Sequence, residues 1–124
     1  MNQVIPDELL ELTARKFQML GDPTRLAILR ALMAGERNVG QVVDETGRGQ
    51  ANVSKHLKML AESGLVRRRK EGLQVFYSVS DPLVEDLCKL VCASIVRQVE
   101  DSVSRNQAIL NQVKPAGPRT GRAR

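Results

Sequence analysis

Gly64 separates two hydrophobic rhythms that cannot belong to one element. Before it, Val53, Leu57 and Leu60 recur at helical spacing in a stretch that begins near Gln50, so one side of a helix is apolar. After it, Leu65-Val66 lead into Arg67-Arg68-Arg69, with a turn expected at Lys70-Glu71-Gly72. Leu73, Val75, Tyr77 and Val79 then alternate with Gln74, Phe76 and Ser78. A period of two on each side of a glycine turn predicts a β-hairpin. A helix closed by glycine and followed directly by a ribbon restricts the fold to few architectures.

The remaining punctuation is helical. Pro6-Asp7 opens a helix to Leu20, with Leu9, Leu10, Leu12, Phe17 and Leu20 as its apolar side. Gly21 ends it, and Asp22-Pro23 supplies an N-cap followed by proline at the first helical position, where a missing N–H costs nothing. The second helix, Pro23 to about Met33, is expected to bury Leu26, Ile28, Leu29 and Leu32 before Gly35. Asn38 with Gln41 three residues on forms a capping-box variant. It starts a short helix through Val39, Val42 and Val43 toward Thr46, and Gly47 suits a tight turn into the helix at Gln50. Asp81-Pro82 repeats the cap-plus-proline device and launches a last helix to about Val113. The chain has two Phe, one Tyr and no Trp, so its core must come from aliphatic residues, which favours helices over a β-sandwich. Residues 1–113 read as one domain. Residues 114–124 read as a basic disordered tail, too poor in apolar residues to fold.

Charge is distributed unevenly. Between Arg48 and Lys70 seven Lys or Arg face a single acid, Glu62, and a polyanion is the simplest partner for such a segment. Two short helices joined by a glycine turn, with a hairpin after the second, make a winged helix-turn-helix, a mainly α fold. Its second helix fits the major groove of double-stranded DNA while the ribbon's cations lie on phosphates. With Val53, Leu57 and Leu60 turned inward, Asn52, Ser54, Lys55, His56 and Lys58 point outward or to the flanks, and Gln50 lies in the first turn. Gln and Asn suit adenine, whereas Lys58 and Arg48 suit phosphate. In the ribbon the three arginines cannot share a side, so Arg67, Arg69 and Lys70 are the expected phosphate contacts and Arg68 the spectator. A merely solvated basic face, RNA or an acidic protein are the competing readings. There is no glycine-rich phosphate loop and no nucleophile paired with a base, which argues against an enzyme. No apolar run approaches a membrane span and the first 20 residues carry Asp7, Glu8 and Glu11 instead of a signal peptide, so a cytoplasmic protein is expected.

The segments LGDPTRLAILRALMAGE (20–36), QANVSKHLKMLAESGLVRRRKEG (50–72) and VFYSV (75–79) resemble the ArsR/SmtB family of bacterial winged-helix repressors. That resemblance implies a homodimer paired through the first and last helices, an operator with an imperfect inverted repeat, and release by an inducer. It also places Ser54 and His56 on the recognition helix and the wing tip at Lys70-Glu71-Gly72. Where the family usually has an apolar residue and a Ser N-cap, this chain has Arg48 and Gly49, which weakens the local cap.

A dimer is also expected from spacing alone. A last helix of ~30 residues is roughly 45 Å long, more than one small domain covers. Val84, Cys88, Cys92, Ile95, Val99 and Val103 form an apolar seam suited to a second helix, while Leu83, Leu87, Leu90 and Val91 form a row for the chain's own domain. Among metal-sensing relatives the last helix carries an Asp and His pattern. Here Asp81 is followed by Leu83 where a His would be needed, and the sole His is His56. No resident metal or certain cofactor is therefore expected. Cys88 and Cys92, four apart, could chelate a thiophilic centre such as As(III), or be oxidised or persulfidated. Alternatively both are small packing residues and another ligand or protein controls the molecule.

Overall fold

A computed structural model describes residues 5–113. It divides into two compact units, one ending at Glu85 and the other starting at Asp86, and each is considered by itself.

In the first unit the order is α1 (Asp7–Leu20), α2 (Pro23–Met33), β1 (Arg37–Asn38), α3 (Val39–Thr46), α4 (Gln50–Glu62), β2 (Val66–Glu71) and β3 (Gln74–Val79). The capping signals act as expected. Asp22 Oδ2 accepts from the Arg25 backbone N–H at 3.0 Å, with Pro23 at the first position. Asn38 and Gln41 form a reciprocal capping box, 2.8 and 2.9 Å. Gly64, at φ 80°, closes α4 as a Schellman motif: Leu65 N–H donates to Leu60 O and Gly64 N–H to Ala61 O, both at 3.1 Å. Only glycine takes that backbone conformation without strain.

The core is aliphatic. Ile28 and Leu29 of α2, Val42 of α3, Val53, Leu57 and Leu60 of α4, Leu65 and Val84 are fully buried. α2 packs against α3, α4 and β3, so the short helices rest on one shared support. Ser80 ties the ribbon's base to the end of α4, its N–H donating to Leu65 O at 3.1 Å and its hydroxyl to Gly64 O at 2.9 Å.

Several expectations are corrected. β1 was not foreseen: it pairs antiparallel with β3 (Arg37↔Tyr77, Asn38↔Phe76), giving a three-stranded sheet in the order β1-β3-β2. Two residues carry too little periodicity to announce a strand. The hairpin turn is Gly72-Leu73, because Glu71 pairs with Gln74. Gly72 takes φ 62° and Leu73, expected inside the strand, is fully exposed in the turn. Leu26 is 39 % exposed, and Leu9, Leu10, Leu12 and Phe17 of α1 are all more than half exposed, so Leu20 alone anchors that helix's apolar side.

The last helix, α5, runs Leu83–Val113. Asp81 caps it, its Oδ1 accepting from Leu83 N–H at 3.0 Å, and also lies 3.6 Å from Lys16 Nζ. Val84, expected in the intermolecular seam, is instead wholly buried. It sits one position into the helix, inside the unit that ends at Glu85, so it belongs to the chain's own core. Leu83, Leu90 and Val91, expected to face the domain, are exposed. In the second unit Ile95, Val99 and Val103 are also more than half exposed, as are Ile109 and Val113. The tail at 114–124 lies outside the described residues. No described helix is long and apolar enough to cross a membrane.

Candidate nucleic-acid interface

The turn between α3 and α4 sets the direction of the exposed helix. Gly47 ends α3 at φ 70°, and Thr46, bonded back to Val42 O at 2.7 Å, accepts from Arg48 N–H at 3.4 Å. Gly49 stands at the N-cap of α4 with no side-chain cap. One row of α4 (Val53, Leu57, Leu60) is wholly buried, which forces the opposite side outward. Gln50, Asn52, Ser54, Lys55 and Lys58 are exposed, and their side chains make no hydrogen bond or ion pair among the described residues. Amides, a hydroxyl and two ammonium groups therefore stand on one helix face with their hydrogen-bonding capacity unused.

Arg48 and His56 are differently placed. Arg48 is half-buried; its Nε donates to Thr24 Oγ1 at 3.2 Å and its Nη1 to Thr46 O at 3.3 Å, so it braces the turn against the start of α2. His56 is half-buried, with Nδ1 3.3 Å from Arg25 Nη1. A guanidinium can only donate, so Nδ1 accepts and the ring proton resides on Nε2. Arg25 also donates from Nε to Met19 O at 2.7 Å and from Nη2 to Gln18 O at 3.0 Å. Sequence reasoning missed Arg25 altogether, since its bonds go to backbone oxygens and to a ring 31 residues away. The backbone N–H of Arg25 is the chief reason the Asp22 carboxyl lies below the usual range, with the Arg25 charge adding to it.

On the ribbon the arginines divide unexpectedly. Arg69 donates to Glu36 from Nε (2.9 Å) and Nη2 (2.8 Å), to Glu71 from Nη1 (3.0 Å), and lies 4.9 Å above the Phe76 ring. All three guanidinium nitrogens are engaged. The bond from Arg69 holds the Glu36 carboxyl below its ordinary range, with the charges of Arg69 and Arg67 assisting. Arg68, read as a spectator, is exposed and unpaired among the described residues, as is Lys70. Glu36 gave no signal in the sequence, being an ordinary surface acid until the fold sets it beside the ribbon.

In the second unit Cys88 is half-buried and Cys92 exposed, both free thiols. Burial first, and then the neighbouring Cys92, push the Cys88 thiol up. Among the described residues no group of three or more His, Cys, Asp or Glu is placed to hold a metal ion.

Residues 22–68 match the family described as bacterial regulatory protein, arsR family. A probable mercury resistance operon repressor of Streptomyces lividans is 45% identical over 78 residues, 63% of this chain and 62% of that protein, so less than two thirds of its length is spanned. An HTH-type transcriptional regulator of Methanocaldococcus jannaschii is 41% identical over 85 residues, 68% of this chain and 96% of that protein. Among solved structures, the homodimeric winged helix-turn-helix DNA-binding domain from Mycobacterium bovis superposes with a TM-score of 0.65 at 32% identity, covering 77% of this chain and 89% of that one. These are DNA-binding regulators rather than enzymes. A buried row that turns unpaired amides and cations outward, a cationic ribbon behind it and these matches agree: the chain belongs to the arsR family of bacterial regulatory proteins.

Proposed function

We propose that two copies of this chain repress transcription by binding an imperfect inverted repeat in double-stranded DNA. Each α4 enters a major groove and each ribbon lies on the flanking phosphates. The observation that carries this reading is the polar face of α4, unpartnered among the described residues, opposite a wholly buried row. Gln50, Asn52 and Ser54 are the groups for base edges; Lys55, Lys58, Arg67, Arg68 and Lys70 are the groups for phosphate. Arg48 and His56 act through the braces described above, with His56 Nε2–H making no hydrogen bond among the described residues.

Pairing is supported by the apolar side chains that α1 and α5 leave in water, Leu9, Leu10 and Phe17 on one and Ile95, Val99 and Val103 on the other. Exposed apolar surface of that kind marks an association face. Two-fold symmetry sets the reading helices about 34–36 Å apart, one turn of DNA. The Mycobacterium bovis domain is homodimeric. The test is a gel shift with the region upstream of the chain's own gene. Binding that weakens steeply with salt is expected; indifference to every duplex at low salt would sink the reading.

A thiophilic inducer is the second part of the proposal. Cys88 and Cys92 stand one helical turn apart on α5, and the first relative above is named for mercury resistance. An ion or reagent bridging them displaces thiol protons and alters the pairing surface beside Ile95. Arsenite, antimonite, a sulfane sulfur donor or peroxide is expected to release DNA from the wild type and not from Cys88→Ser with Cys92→Ser. If none does, the thiols are packing residues and another ligand or protein partner controls the molecule.

A further inference from the structure

Arg69 belongs to a chain of alternating charges that crosses from α3 to the tip of the ribbon. Glu45 on α3 accepts from Arg37 Nε at 2.6 Å, and Arg37 Nη1 donates to the backbone oxygen of Glu36 at 3.0 Å. Glu36 in turn receives both Nε and Nη2 of Arg69, whose remaining nitrogen reaches Glu71. The mount is stiff. Gly35 precedes it at φ 150°, where a Cβ would lie 2.9 Å from Arg37 Nη1, and Arg37 is paired to Tyr77 in the sheet. A bidentate fork fixes direction as well as distance.

We propose that Arg69 is a positioning residue, which holds the ribbon at a set angle to α3 through Glu36 instead of gripping phosphate. The inference rests on the DNA-binding reading above and deepens it. A guanidinium whose three nitrogens already bond two carboxylates has only two of its five N–H groups left for a phosphate, and Glu36 offsets its charge. Arg68 and Lys70, without partners among the described residues, supply the contact that Arg69 sets in place. The most conspicuous run of cations thus divides into one strut and the groups it aims.

Salt dependence separates the two roles, because each phosphate neutralised by the protein steepens the slope of log affinity against log salt by about 0.9. Full-length variants are titrated with the labelled upstream duplex and with a random-sequence duplex. For Arg69→Gln the expected result is a loss of roughly three- to tenfold at every salt concentration, the size of a lost surface ion pair in each subunit, with an unchanged slope. Arg69→Lys keeps the charge but not the fork and is expected not to rescue. Arg68→Gln is expected to lower the slope by about one per subunit. Exchanging the charges, Glu36→Arg with Arg69→Glu, is expected to bind more tightly than Arg69→Glu alone but less tightly than wild type, because the new carboxylate stands beside Glu71.

A slope that falls by about one per subunit in Arg69→Gln, or full rescue by Arg69→Lys, would overturn the proposal. If the exchanged pair does not fold, the two single variants still decide. Failure of the wild type to bind either duplex would instead count against the DNA-binding reading. Amide exchange then decides the strut separately: faster exchange across β2 and β3 in Arg69→Gln supports it, and unchanged exchange refutes it.

Discussion

Arg25 and His56, 31 residues apart, meet at 3.3 Å between Nη1 and Nδ1. Because Arg25 also holds the last carbonyls of α1, one side chain joins the end of α1, the start of α2 and α4. Removing it leaves backbone oxygens and a ring nitrogen without their donor. Arg25→Ala is expected to lower unfolding free energy by about 1–3 kcal/mol, measured by urea denaturation. His56→Ala loses a single contact and is expected to cost about 1 kcal/mol. Equal stability of wild type and Arg25→Ala would show that the junction contributes nothing.

The exposed face of α4 should divide into two kinds of variant. Gln50→Ala, Asn52→Ala and Ser54→Ala are expected to weaken the specific complex by about 1–3 kcal/mol per lost base contact while leaving non-specific binding intact. Lys55→Gln and Lys58→Gln are expected to weaken specific and random duplexes alike and to flatten the salt dependence. Anisotropy titrations at several salt concentrations check both.

Acid should loosen the first unit through identifiable carboxylates. Asp22 and Glu36 are held below their ordinary range by the Arg25 backbone N–H and by Arg69 respectively. A depressed folded value contributes stability above the unfolded value, which is lost as pH falls through the folded one. Stability is therefore expected to be level near neutrality and to decline below the ordinary carboxylate range. Asp22→Asn and Glu36→Gln should flatten that decline in urea midpoints taken across acidic pH. A decline of the same steepness in both variants would locate it elsewhere.

The two thiols should differ in reactivity. Burial and the adjacent Cys92 raise Cys88, so its thiolate forms only at higher pH, and the thiolate is the nucleophile. Alkylation of Cys88 by iodoacetamide is expected to rise later with pH than that of a thiol with the ordinary value, and Cys92→Ser should return part of that displacement. Lys89 lies between them, so tryptic peptides report each separately.

Val84 and Val99, which spacing puts in one seam, should fail in different ways. Val84 is wholly buried while Val99 is 56 % exposed. Val84→Ala is expected to destabilise the chain by roughly 1–3 kcal/mol regardless of concentration, as a cavity in the core does. Val99→Asp is expected to leave the domain folded and shift sedimentation toward monomer, because it places a charge in the pairing surface. An unchanged sedimentation coefficient would remove α5 from the interface.

Much of this protein is legible in its sequence. The helix starts at Asp22-Pro23, Asn38 and Asp81, the glycine closures at Gly47 and Gly64, and the buried row of α4 follow from signals a few residues long, because caps, turns and periodicity act over a single helical turn or strand step. The outward set on α4 follows too, since burying one side of a helix decides the other. Tertiary structure alone decided which charges are spoken for. Glu36 beside Arg69, Thr24 beside Arg48, and Arg25 beside His56 are meetings between distant segments, and no local pattern encodes them. It also drew Val84 inward, out of a seam whose spacing it shares, and added β1 as a strand too short to announce itself. Local backbone preferences are written in neighbouring residues. A side chain's partner depends on how whole elements pack, so the cationic run was readable as a run, and the division of labour within it was not.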